Sequence, residues 1–234
     1  MAEGAKVCLV TGVGPGTGAA LARRFARGGY RVAMLARDRE RLRTLENEIE
    51  GARGYACDVT DDAALRATCD AVATDLGAPS VVIHNAVGGA FGDFQTIDPG
   101  VLRRNFEVNT MALLGLARAV APAMVDAGEG AILCTGNTSA HRGVANFAGF
   151  APSKAAQRIL AESIARNLWP RGVHVAYVTI DAVIDLAWTR QMYADKPDEF
   201  FITPDAIADE CWHVAHQPRA AWTFDVWIRP FGER

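Results

Sequence analysis

The apolar run Val7–Thr11 breaks into Thr11-Gly12-Val13-Gly14-Pro15-Gly16-Thr17-Gly18, and helical spacing starts at once, from Gly16 through Arg27. Few arrangements put so many glycines between a strand and a helix. Gly12 permits the tight turn, Gly16 lets a pyrophosphate approach the backbone, and Gly18 lets helix and strand pack closely. Gly14 and Thr17 complete the loop. The N–H groups that open the helix then face the phosphates. The strand-before, helix-after context is what separates a dinucleotide-binding turn from an ordinary glycine-rich loop.

The rest of the chain repeats the same alternation. Val7–Thr11, Arg31–Ala36, Gly54–Cys57, Ser80–His84, Ala131–Thr135, Val173–Thr179 and Trp222–Ile228 read as strands. Helical spacing covers Gly16–Arg27, Asp38–Ile49, Asp61–Leu76, Pro99–Ala127 and Pro152–Trp169, with a last helix from Thr203-Pro204-Asp205 through His216. Asp61, Asp98 and Thr203 are candidate N-caps. Strands that alternate with helices predict a parallel sheet covered on both faces. With 234 residues, half of them hydrophobic, the chain suits one domain over 1–234. A formal charge of −3 gives no electrostatic case for nucleic acid or an anionic membrane. The five cysteines are scattered, with no C-x-x-C pair or Cys/His cluster, so no metal site is expected. No secretory segment precedes the first strand, and no apolar stretch is expected to reach the roughly 20 residues that span a bilayer. These features predict a cytoplasmic protein.

The second strand ends Ala36-Arg37. An acid at that strand end binds a ribose 2′-hydroxyl, whereas an arginine takes a 2′-phosphate. Arg37, with Arg41 one turn later, therefore favours NADP(H) over NAD(H).

Further motifs are Asp58-Val59 after the third strand, Asn85-Ala86 after the fourth, Val108-Asn109 in a long helix, and Lys154 in the helix from Pro152. Together with Thr-Gly-x-x-x-Gly-x-Gly they make the chain resemble the short-chain dehydrogenase/reductase family along essentially its whole length. The resemblance implies a doubly wound, Rossmann-type α/β domain of about seven parallel strands with helices on both faces. It implies that Asp58 meets the adenine, Asn85 and Ala86 line the cofactor cleft, and the Val183 backbone meets the carboxamide. It also implies that Lys154 binds the nicotinamide ribose and Asn109 holds a water that relays protons from it.

Several positions depart from the family pattern. The catalytic tyrosine position, four residues before Lys154, is Phe150, and the serine position falls on Asn137. The enoyl reductases, a sister group, place their tyrosine seven residues before the lysine, which is Phe147 here. Phenylalanine has no proton to give. Asn137 can donate a hydrogen bond to a carbonyl oxygen but cannot act as an acid. Candidate substitutes are Thr138, Ser139, His141, Tyr193, Asp181, Asp185 with a raised pKa, and the Lys154 ammonium itself. Two readings stay open. One is an NADP(H)-favouring oxidoreductase acting on a small, largely apolar carbonyl, imine or alcohol by a non-standard proton path. The other is a catalytically impaired pseudoenzyme that keeps the nucleotide cleft as a sensor or partner-binding module.

Phe147, Phe150, Trp188, Met192, Phe200 and Phe201 suggest an apolar substrate pocket, with a lid over about 186–204. In the family the helices corresponding to Pro99–Ala127 and Pro152–Trp169 pack against a second subunit, which implies a homodimer or homotetramer.

Overall fold

The computed structural model describes residues 5–232. Seven strands form one sheet in the order β3-β2-β1-β4-β5-β6-β9: β1 Val7–Thr11, β2 Arg31–Ala36, β3 Ala52–Ala56, β4 Val81–His84, β5 Gly130–Asn137, β6 Val173–Ile180 and β9 Asp225–Ile228. Every neighbouring pair is parallel. The central strands β1, β4 and β6 are buried along their whole length. This is why they read as unbroken apolar runs, for both faces are covered.

One face packs on α1 Thr17–Arg27, α2 Arg39–Glu48 and α8 Pro204–Ala215, through Phe25, Leu42, Ile207 and Val214. The other packs on α3 Asp62–Asp75, α5 Ala112–Ala127 and α6 Ala151–Leu168, through Leu65, Leu116 and Ala165. The chain is thus a single-domain, doubly wound α/β fold. Its strand order reverses between β1 and β4, where such sheets open a ligand crevice at the carboxyl ends of their strands. The expected caps form: Asp61 accepts from the Ala64 N–H, Asp98 from Gly100 and Val101, and Thr203 from Ala206. Each satisfies donors that the first helical turn leaves unpaired.

Four details differ from the sequence reading. The third strand spans Ala52–Ala56 rather than Gly54–Cys57, because as an edge strand it lacks a continuous apolar signal. The last begins at Asp225, not Trp222; the Trp222 ring instead stacks on His174 at 4.8 Å, and its Nε1 donates to the Gln217 carbonyl. Pro99–Ala127 is one continuous helical stretch, α4 Pro99–Phe106 passing through a π-helical segment, Glu107–Met111, into α5. It is 29 residues long and contains an 18-residue window of mean hydropathy 1.5, long and apolar enough to cross a membrane, contrary to expectation, but here it packs against α3, α6 and the sheet. A two-stranded parallel pair, β7 Val183–Ile184 with β8 Phe201–Ile202, brackets α7 Ala187–Met192. Two-residue strands are too short to show a period.

Candidate functional site

The glycine turn is built as its sequence requires. Gly12 has φ +68°, and a β-carbon there would overlap the Ala86 backbone. A β-carbon on Gly18 would stand 2.6 Å from the Gly12 carbonyl oxygen, so helix and turn meet only through glycine. Gly16 faces the Leu186 side chain, and Gly14 faces open space. Helix α1 starts at Thr17 with no side-chain cap. The Ala19 and Ala20 N–H groups bond back to Gly14 and Gly16, which leaves the first N–H groups of the helix for an anion.

Asn85 ties the turn to the sheet. Its Nδ2 donates to the Gly12 carbonyl at 3.0 Å, and its Oδ1 accepts from Thr135 Oγ1 at 3.0 Å. The backbone N–H groups of Asn85 and Ala86 both reach Thr11 Oγ1. Both residues therefore stand on the floor of the β1–β4 crevice. Beyond the end of β2, Arg37 is exposed, with no side-chain partner among the described residues. Arg41 is paired with Asp38 at 3.2 Å, so of these two arginines Arg37 is the one without an ion pair among the described residues. Asp58 Oδ1 accepts from Thr60, which together with nearby Arg37 and Arg104 holds its carboxyl below the usual range. Val59 packs into the core on the α3 face.

Lys154 lies deep in α6, 2 % exposed. Its Nζ donates to the Thr135 carbonyl at 3.0 Å and to Gln157 Oε1 at 2.5 Å. Burial lowers its pKa to about 8. The same burial, with the Lys154 charge, lowers His84 to about 4, so that imidazole is neutral; it bridges Thr11 Oγ1 and the Val108 carbonyl. Asn109 sits in the π-helical segment, a distortion frequent at functional sites. Its Oδ1 accepts from the Gly88 N–H, while Nδ2 donates to the Gly88 carbonyl and Ser153 Oγ. The Asn109 carbonyl accepts from Gln157 Nε2 at 2.7 Å. The polar groups to which the resemblance gives a water are thus engaged by protein.

Phe150 stands just before α6, its ring edge 3.2 Å from where a β-carbon on Gly89 would be. Phe147 lies 6.5 Å from it and 5.6 Å from Phe91, between ring centroids. Phe91, Phe94, Trp188 and Met192 are exposed, whereas Phe201 is core. Asn137 ends β5; its Oδ1 accepts from the Ser139 N–H, leaving Nδ2 without a protein acceptor among the described residues. Ser139 is buried, and Thr138 opens the short turn between them.

The substitute acids fare unequally. Asp185 does not have a raised pKa: Arg190 grips it through two hydrogen bonds of 2.7 Å, which lowers it and keeps it ionised. Asp181 pairs with Arg229 at 2.7 Å. Tyr193 packs on Phe200 at 5.8 Å. His141 is an exposed residue whose imidazole is 19 % exposed. It bonds to Thr179 Oγ1, packs on Trp227 at 4.5 Å, and is held neutral chiefly by burial. Val183 pairs with Phe201 and so ties the start of the lid segment to its end. Arg190 also bridges to Asp198 across that segment. Gln157 and Tyr177 were missed. Gln157 could have been flagged by its place three residues after Lys154, on the same helix face. Tyr177 sits in an apolar strand and reads as core. A separate open groove of about 480 Å³ between α2, β3 and α3 borders none of the candidate site residues.

A family model described as short chain dehydrogenase matches residues 6–190. A metagenomic short-chain oxidoreductase in complex with NADP is 32% identical, with a TM-score of 0.85 over 98% of this chain and 99% of that one. The 7alpha-hydroxysteroid dehydrogenase of Escherichia coli (strain K12) is 29% identical over 183 residues, 76% of this chain and 71% of its own length. The (-)-isopiperitenol/(-)-carveol dehydrogenase of Mentha piperita is 32% identical over 185 residues, 76% of this chain and 69% of its own. The glycine turn, the sheet order and these matches agree: the chain belongs to the short chain dehydrogenase family, and these relatives are dehydrogenases and an oxidoreductase.

Proposed function

We propose that the protein is an oxidoreductase that prefers NADP(H) to NAD(H) and acts on a small, largely apolar carbonyl, imine or alcohol, with a proton path that bypasses Phe150. When bound, the nicotinamide supplies or accepts the hydride. The residues present fit such a cofactor. The Gly12–Gly18 turn and the uncapped start of α1 suit the pyrophosphate. Arg37 suits a 2′-phosphate, Asp58 the adenine, Lys154 the nicotinamide ribose, and the Val183 backbone the carboxamide. A solved neighbour carries NADP, and two relatives are named for a hydroxysteroid and for carveol, which supports the cofactor and an apolar substrate.

Lys154 carries the reading. An ammonium has three donors, and two of them are used by Thr135 and Gln157. The third has no protein acceptor among the described residues. With a pKa of about 8, the ammonium can give a proton near neutral pH. Asn137 Nδ2 is a free donor to hold the substrate oxygen. Phe150 and Phe147 set apolar rings beside the start of α6, with the exposed Phe91 packed on Phe147. The pseudoenzyme reading is favoured by one feature: neither Phe150 nor Asn137 can act as an acid.

Tryptophan fluorescence titration with NADPH and NADH tests the cofactor. A carbonyl and imine panel with NADPH, run on wild type and Phe150→Tyr, tests the chemistry. Turnover by wild type that the tyrosine does not improve supports the built-in proton path. Turnover created only by the tyrosine supports the pseudoenzyme. We also propose a homodimer or homotetramer, since Met111 and Ile159 on neighbouring helical elements are exposed apolar residues; size-exclusion chromatography with light scattering measures it.

A further inference from the structure

The inner side of Lys154 is closed by a carboxamide. Gln157 is fully buried, and its oxygen takes the lysine Nζ–H at 2.5 Å. The same oxygen accepts from the Tyr177 hydroxyl, a fully buried phenol on β6, at 3.3 Å. Gln157 Nε2 donates to the Asn109 carbonyl at 2.7 Å. These partners fix the amide orientation: the oxygen faces two donors and the nitrogen faces an acceptor. A flipped amide would set its NH₂ against the ammonium and its oxygen against a carbonyl. Gly136 makes the arrangement possible, because a β-carbon there would overlap the Tyr177 ring and hydroxyl.

The pocket holds one charge. The titratable groups that face the ammonium are Cys134 on β5, pushed up to about 12 by burial, His84 on β4, pushed down to about 4, and Tyr177, pushed up by burial. All three are neutral at neutral pH. Arg158 and Asp225, one layer further out, pair with each other. A carboxamide neither takes up nor releases a proton near neutral pH, so the inner side of Lys154 has no titrating partner.

We propose that Gln157, locked by Tyr177 and Asn109, is a positioning residue: it holds the ammonium by one oxygen, closes the inner side to proton exchange, and leaves the third N–H as the route by which the Lys154 proton leaves and returns. A proton that passes from Nζ to a substrate oxygen in the cleft is then replaced from solvent through that cleft. The inference rests on the proposed function only where it takes the cleft for the cofactor cleft.

The chain has three lysines, Lys6, Lys154 and Lys196, so lysine labelled with ¹³C at Cε gives a simple spectrum. The signal lost in Lys154→Met assigns the site. The wild-type signal is expected to titrate near pH 8. Gln157→Leu removes the acceptor and should lower the midpoint by about one pH unit; Gln157→Glu adds a carboxylate and should raise it by about one unit or more. The glutamate variant decides the matter even if the leucine variant does not fold. A midpoint unmoved in the folded variants overturns the proposal. In parallel, the pH at which NADPH affinity falls, read by tryptophan fluorescence, should follow the lysine midpoint in each variant. If NADPH binds but its pH dependence ignores that midpoint, the proposal fails. If NADPH does not bind at all, the cofactor reading fails, and the lysine titration still decides the role of Gln157.

Discussion

Replacing Lys154 with methionine should make the fold more stable at neutral pH relative to wild type than it does at alkaline pH. Burial takes this lysine from the ordinary 10.5 to about 8. At about 1.4 kcal/mol per pH unit, keeping the ammonium charged inside the fold costs about 3 kcal/mol. Below both pKa values, folded and unfolded chains both carry the proton, and the cost is present in full. Between them the unfolded chain still holds the proton while the folded chain has released it, so wild-type stability climbs with pH. From pH 7 to about pH 9.5 the wild type should therefore recover about 2 kcal/mol relative to Lys154→Met. The substitution also leaves the Thr135 carbonyl and Gln157 Oε1 short of a donor. That loss, about 1–3 kcal/mol per group, is nearly the same at both pH values and drops out of the comparison. Urea unfolding of both proteins at the two pH values, followed by tryptophan fluorescence, measures the difference. If it changes by less than about 0.5 kcal/mol, against the 2 expected, the ammonium is not held at the cost worked out here.

Acid should weaken the fold through His84. Its pKa falls from 6.5 to about 4, so the unfolded chain gains a proton in that window that the folded chain refuses. Stability should fall by about 3 kcal/mol on acidification from 6.5 to 4, and by less in His84→Asn, as urea unfolding at stepped pH will read. Gly12→Ala should cost about 2 kcal/mol or more by the same assay, because the residue sits at φ +68° and its new methyl would overlap Ala86. Arg37→Glu should weaken NADPH binding at least about tenfold while sparing NADH, since a carboxylate repels a 2′-phosphate. Equal loss of both cofactors in fluorescence titration would remove Arg37 from that role.

The parts legible in the sequence were those set by short spacing. Gly12, Gly16 and Gly18 lie within one turn, and their constraints are backbone constraints. Asp61, Asp98 and Thr203 cap helices whose first turns follow directly. Asp185 was misread because nothing in the sequence marks Arg190, five positions on in α7, as its partner, and only the bound pair shows that the carboxyl stays ionised. His141 is a loop residue, as expected, but its imidazole is tied to Thr179, 38 positions away, which spacing along the chain does not show.

By itself the sequence determined the alternation of strands and helices, the glycine turn, the arginine after the second strand and the absence of a phenol four residues before Lys154. These follow from periodicity, backbone freedom and residue chemistry, which are local. Tertiary structure alone decided what surrounds Lys154. Thr135, Gln157, Asn109 and Tyr177 come from β5, α6, the π-helical segment and β6, and only the order of parallel strands brings them to one buried point. Burial there changes the chemistry: held on two fixed acceptors and cut off from solvent, the lysine has its pKa lowered from the ordinary 10.5 to about 8.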